Sequence, residues 1–288
     1  MAKAPEVRAL YHEPTSTFSY VVWDPATRDA LVIDPVLDYD GAAGRTGTAS
    51  AAALLAVLDS EHLQLRWILE THAHADHLTA AAFLHERTGA PVAIGRGITS
   101  VQENFRDIYH LGPAFAVDGR QFDRLFADGD RFALGEMEVE VMATPGHTDD
   151  SVTYRVGDAA FVGDTLFAPD YGTARCDFPG GDAARLFASV QRLYSLPPET
   201  RLFLCHDYPP EGRGPRCEWS VAEQRAGNIH IDASTREGDF VQMRTERDAG
   251  LKMPALIIPS VQVNIRAGRL PEPEENGRRY LRVPLDTL

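Results

Sequence analysis

The chain has 288 residues, 44% of them hydrophobic, and a formal net charge of −14. That size can bury about three quarters of the unfolded surface, enough for one large or two small domains. So acidic a balance, with no lysine or arginine run, argues against nucleic acid as a partner.

In chain order, strand-like stretches cover Tyr20 to Trp23 and Ala30 to Ile33, followed by a helical stretch from Ser50 to Leu58. This apolar segment, Ala51 to Leu58, is the longest in the chain and far too short to cross a bilayer. The apolar run Leu65 to Leu69 leads into Thr71-His72-Ala73-His74-Ala75-Asp76-His77, after which a helix is expected from His77 to Arg87. Further strands are expected at Val92 to Ile94, at Glu138 to Met142, at Val152 to Val156, at Phe161-Val162 and at Leu202 to Leu204, with a helix from Ala183 to Tyr194. The order is that of a layered α/β chain. No linker or internal repeat divides it, so one domain is preferred. The opening residues, Met1 to Glu6, lack the apolar region of a secretory signal, and three cysteines (Cys176, Cys205, Cys217) cannot all pair within the chain. A soluble, cytoplasmic protein is expected, with no membrane association.

The histidine-rich segment is the chemical centre of the sequence. His72 and His74 are two apart, so in an extended chain both rings project to one side. Burying several imidazoles and a carboxylate without a common partner costs several kcal/mol, and a divalent cation removes that cost. Three later segments repeat the arrangement of a polar ligand at the end of an apolar strand: His147 in Pro145-Gly146-His147-Thr148, Asp164 after Gly163, and His206 in Cys205-His206-Asp207-Tyr208. One sheet edge would bring all of them together.

On these residues the sequence resembles the metallo-β-lactamase superfamily, whose H-x-H-x-D-H signature is matched by His72, His74, Asp76 and His77, with His147, Asp164 and His206 following in order. The resemblance implies an αββα sandwich with the metal site at one edge. Within that superfamily, Gly172 to Gly181 with Arg175 and the Asp177-Phe178 pair, then His206-Asp207-Tyr208, and a tail including Pro259 to Gly268, look like the persulfide dioxygenase (sulfur dioxygenase) family. The related glyoxalase II hydrolases usually carry a different last-histidine motif and add a helical domain for glutathione. The chain is expected as a single domain over 1–288, with 209–288 a helical and extended extension packed on it. The insertions Asp38 to Thr48 and Ile98 to Arg124 leave the pocket rim unassigned.

The resemblance implies one Fe(II) per chain, held by His72, His147 and Asp164 as a facial triad with open positions. The implied reaction takes glutathione persulfide, or a related low-molecular-weight persulfide, and O2 to sulfite and thiol. His74, Asp76, His77 and His206 would orient the ligands and bound water, or complete a second metal site. Arg175 is the candidate substrate anchor, with a salt bridge to Asp177 as the competing reading, and Tyr208 is a candidate hydrogen-bond donor to oxygen or sulfur. Cys176 and Cys205 read as small core residues, and His12, His62, His85, His110 and His230 as surface or core histidines. Two alternatives stay open: a glyoxalase II-like dinuclear zinc thioester hydrolase with Asp76 assisting proton transfer, and a sulfur-carrier module serving a rhodanese-type sulfurtransferase. Coupling to such a sulfurtransferase, and a homodimer, are also compatible with the resemblance.

Overall fold

The computed structural model describes residues 4–287, and the two-residue period of its strands decides how they stack. The strands are β1 (Glu6–His12), β2 (Thr17–Trp23), β3 (Asp29–Ile33), β4 (Val36–Asp40), β5 (Arg45–Gly47), β6 (Gln64–Leu69), β7 (Leu78–Thr79), β8 (Val92–Gly95), β9 (Arg124–Phe126), β10 (Arg131–Leu134), β11 (Met137–Ala143), β12 (Val152–Val156), β13 (Ala159–Phe161), β14 (Arg201–Phe203) and β15 (Glu218–Ser220). The helices are α1 (Ala49–Ser60), α2 (Ala81–Thr88), α3 (Ile98–Ile108), α4 (Ala183–Tyr194), α5 (Val221–Gly227), α6 (Glu237–Asp248) and α7 (Ile257–Asn264).

One six-stranded sheet runs β1-β2-β3-β6-β8-β9 and the other β10-β11-β12-β13-β14-β15. Along β2, Val21 and Trp23 pack outward with Leu54 and Leu58 of α1, while Tyr20 and Val22 pack inward. In β3, Ala30 and Val32 face out, and Leu31 and Ile33 face in. The second sheet answers from its own inner face with Val139, Val141, Tyr154 and Phe161. Its outer face packs Leu202 and Leu204 with Leu186, Val190 and Leu193 of α4 and Phe240 of α6. The result is helix, sheet, sheet, helix, with three separate apolar layers. The two sheets rather than one sheet's edge supply the polar strand ends, because β6 belongs to the first and β11, β13 and β14 to the second.

The helix expected from His77 begins only at Ala81. Leu78 and Thr79 instead pair antiparallel with Leu37 and Val36, and the Asn264 side chain accepts the Thr79 N–H at 2.9 Å. The segment 38–48 becomes part of the β4–β5 hairpin, and 98–124 supplies α3 and the loop leading into β9. No helix among the described residues is long and apolar enough to cross a membrane.

Candidate metal centre

The loop after β6 is tied down from four directions. Asp34, at the end of β3, accepts the Thr71 N–H at 2.7 Å and its hydroxyl at 2.9 Å. Asp150 accepts the Ala73 N–H at 2.8 Å, the Val152 N–H reaches Thr71 O at 2.9 Å, and the Asn264 amide donates to the carbonyls of His74 and His77, both at 2.8 Å. Pairing these backbone groups offsets the cost of burying an irregular loop. Gly146, before His147, has φ +136, and a Cβ there would lie 2.2 Å from the Leu186 backbone nitrogen. Only glycine lets that turn reach α4.

Hydrogen bonding fixes which nitrogen of three rings carries a proton. His147 Nδ1 lies 2.7 Å from the Arg175 carbonyl, which can only accept, so Nδ1 is the donor and Nε2 keeps its lone pair. His206 Nδ1 faces the Ser16 carbonyl at 3.3 Å, with the same result. The Thr71 hydroxyl, already donating to Asp34, accepts from His72 Nδ1 at 3.1 Å. The Nε2 atoms then converge on carboxylate oxygens. His72 and His147 lie 3.7 and 3.6 Å from Asp164 Oδ2; His206 lies 3.5 Å from Asp164 Oδ1 and 3.3 Å from Asp76 Oδ2. Lone pairs facing one another at these distances repel, whereas ligands about 2.1 Å from a shared ion sit about 3–3.5 Å apart. The Nε2 atoms of His72, His77 and His206 and Asp164 Oδ1 have no hydrogen-bond partner and are buried. A cation therefore fits this donor set.

Two groups of candidate ligands adjoin one another, with Asp164 of the first 3.5 Å from His206 of the second. His72, His147 and Asp164 bring one ligand atom each within 4.8 Å of one another, and His74, Asp76, His77 and His206 do the same. His74 Nε2 is turned toward Asp34 at 3.1 Å and Glu70 at 3.7 Å, without the alignment of a hydrogen bond at either. Burial, reinforced by neighbouring imidazoles, holds His72 and His74 well below the usual histidine range, so both are neutral ligands. Burial alone would raise Asp76, but His206 and His77 hold it well below the ordinary value. Asp164 is raised, chiefly by burial.

The centre opens on a cavity of about 440 Å³, reached by Asp76, His147 and Asp164. Tyr208 lines it, its ring 5.8 Å from Phe167, and burial raises its phenol so that it stays a donor. Arg175 also lines the cavity, but its guanidinium is engaged: Nε and Nη2 bind Asp177 at 2.5 and 2.6 Å, and Nη1 binds the Lys252 carbonyl at 2.7 Å. Through its backbone it orients His147, and through its side chain it holds Asp177 and the Lys252 turn. Cys176 and Cys205 are both buried, and the Cys205 sulfur lies within 4.8 Å of ligand atoms of Asp164 and His206.

No motif in the sequence marks Asp34, Asp150 or Asn264, nor Arg247 and Lys252 at the cavity, and His230, expected as a surface or core histidine, lines the cavity as well. Asp34 carried a usable signal, a carboxylate directly after the apolar run to Ile33. His230 Nδ1 accepts the Thr173 N–H at 2.9 Å, which places the ring proton on Nε2. Burial, then Arg244 and Arg247, push its pKa down to about 4.

A family model described as "Metallo-beta-lactamase superfamily" matches residues 12–206. The chain is 53% identical to a "Probable metallo-hydrolase" of Burkholderia pseudomallei, over 98% of this chain and 99% of that protein. It is 51% identical to a "Beta-lactamase hydrolase-like protein" of Xylella fastidiosa, covering 99% of this chain but only 66% of the longer relative. "Glyoxylase B2" of Dictyostelium discoideum is 45% identical over 100% of this chain and 99% of that protein. Human "Persulfide dioxygenase ETHE1, mitochondrial" is 30% identical over 91% of this chain and 88% of that protein. Among solved structures, ETHE1 from Myxococcus xanthus superposes with a TM-score of 0.73 at 32% identity, covering 92% of this chain and 100% of that one.

Proposed function

Because the chain belongs to the metallo-beta-lactamase superfamily, we propose that His72, His147 and Asp164 hold a single Fe(II) at which a low-molecular-weight persulfide, such as glutathione persulfide, takes both atoms of O2 on its outer sulfur, one water then cleaving the S–S bond to release sulfite and the thiol. The observation that carries this reading is a trio of two imidazoles and one carboxylate opening on a cavity, the ligand set of non-haem iron oxygenases. The likeness to persulfide dioxygenases extends past residue 206 into the tail, over 91% of the chain. When bound, Fe(II) supplies electrons to oxygen, which zinc with its filled d shell cannot do.

The chain's own residues account for the rest. Phe167, Phe178, Leu251 and Leu256 give the cavity apolar walls that suit a sulfur chain. Tyr208 offers a phenol proton at the same cavity. Arg175 O keeps His147 in the tautomer that presents Nε2, and Thr71 does so for His72.

A second reading has its own observation. His74, Asp76, His77 and His206 lie close enough together to hold a second cation, which a dinuclear zinc thioester hydrolase would use, and the likeness to "Glyoxylase B2" is the stronger in identity. Oxygen uptake by anaerobically iron-reconstituted protein with glutathione persulfide decides between them. Uptake is expected in the wild type and lost together with iron in His147→Ala and Asp164→Ala. Thioester hydrolysis by protein holding two zinc ions, with no oxygen uptake by the iron form, would replace the dioxygenase reading with the hydrolase.

A further inference from the structure

A second cavity lies behind the metal centre. It measures about 370 Å³ and is lined by His12, Thr15, Asp38, His77 and Leu78, so His77 faces it rather than the main cavity, from which Pro14, Thr15 and Leu256 divide it. The polar groups on this side are joined one to the next. His12 Nδ1 lies 2.7 Å from Thr15 Oγ1, Thr15 Oγ1 lies 2.8 Å from Thr17 Oγ1, and Thr17 Oγ1 lies 3.3 Å from His206 Nδ1. At the outer end His12 Nε2 faces Asp38 Oδ1 at 3.6 Å, and Asp38 is held in turn by the N–H and the hydroxyl of Ser50, at 3.0 and 2.6 Å. At the inner end Thr17 is buried and pairs through its backbone with His206.

The direction of each hydrogen bond follows from His206. Its Nδ1 carries a proton, because the same nitrogen faces the Ser16 carbonyl, so the Thr17 oxygen accepts from it. The Thr17 hydroxyl then donates to Thr15 Oγ1, its nearer acceptor, in preference to the Thr15 carbonyl at 3.3 Å. Thr15 donates to His12 Nδ1, which leaves the His12 proton on Nε2, toward Asp38. Every proton in the chain points outward to one carboxylate. Hydrogen bonds in series polarise one another, and an acceptor at the far nitrogen of a metal-facing imidazole raises the basicity of the near one.

We infer that His12, Thr15 and Thr17 are positioning residues of the metal centre, a relay that carries the negative charge of Asp38 to His206 and strengthens its Nε2 as an electron-pair donor toward the cation. The inference needs a cation at the donor set and is indifferent to which reaction follows there.

Zinc binding and a ring-nitrogen spectrum test it without turnover. In protein carrying isotopically labelled histidine and saturated with zinc, the His206 Nδ1–H resonance, identified by its absence from His206→Gln, should move upfield in Thr15→Val and in His12→Phe. Affinity for the more weakly held zinc, measured against a competing chelator, should fall about tenfold in each. The double variant should bind no more weakly than the poorer single one, because a chain already cut loses nothing at a second cut. Thr15→Ser, which restores the hydroxyl, should bind zinc within about twofold of wild type. A His206 resonance that keeps its wild-type position in both variants, single losses that multiply in the double variant, or a zinc affinity within about twofold of wild type in Thr15→Val overturns the inference.

Discussion

Arg175 joins the two ends of the cavity. Its carbonyl sets the His147 tautomer and its guanidinium fixes Asp177 and the Lys252 turn. Arg175→Ala keeps the carbonyl that orients His147 but releases Asp177 and the Lys252 turn, so KM should rise while iron affinity stays within about twofold of wild type. A metal titration beside steady-state kinetics checks both, and a loss of iron affinity of about tenfold would show that the side chain also holds the Arg175 carbonyl in place. His230 gives a prediction in pH. Its folded-state pKa is pushed down to about 4 from the ordinary 6.5. The folded chain thus takes up that proton later than the unfolded chain, and the stability the residue contributes is present above pH 6.5 and lost as pH falls toward 4. Thermal melts across this window should show a shallower loss in His230→Gln than in wild type.

At the scale of elements, what could be read in advance was whatever repeats locally. β12 and α4 fall where the apolar period puts them, and the metal-facing residues were visible because each follows a short apolar strand. The start of α2 was not, since Leu78 and Thr79 are drawn into pairing by β4 and by a side chain 185 positions away, a tertiary contact with no local trace. The same applies to Asn264, Arg247 and Lys252, whose positions depend on where α6 and α7 dock. Asn264→Ala tests that dependence. It would strand one buried N–H and two carbonyls, costing about 3 kcal/mol. A fall in Tm of roughly 6 °C is expected for a chain of this size, with weaker metal binding. A Tm within a degree of wild type would show that the loop holds its shape without α7.

For the whole molecule, the αββα stack positions the centre at the seam between two sheets, so a bound ion would add to the packing and the few hydrogen bonds that join their segments. Chelation should cost stability accordingly: an ion present at 100 times its Kd contributes about 2.7 kcal/mol, or roughly 5 °C in Tm. Calorimetry before and after metal removal measures it. In the His147→Ala variant the difference should largely vanish.

The hydrogen bonds from Asn264 to the carbonyls of His74 and His77 close a loop in time as well as in space. During synthesis the histidine-bearing segment leaves the ribosome long before α7 exists, so the nascent chain cannot make these two bonds until residue 264 has emerged. A chain cut before residue 264 is expected to carry every one of the candidate ligands and yet hold His74 and His77 incorrectly.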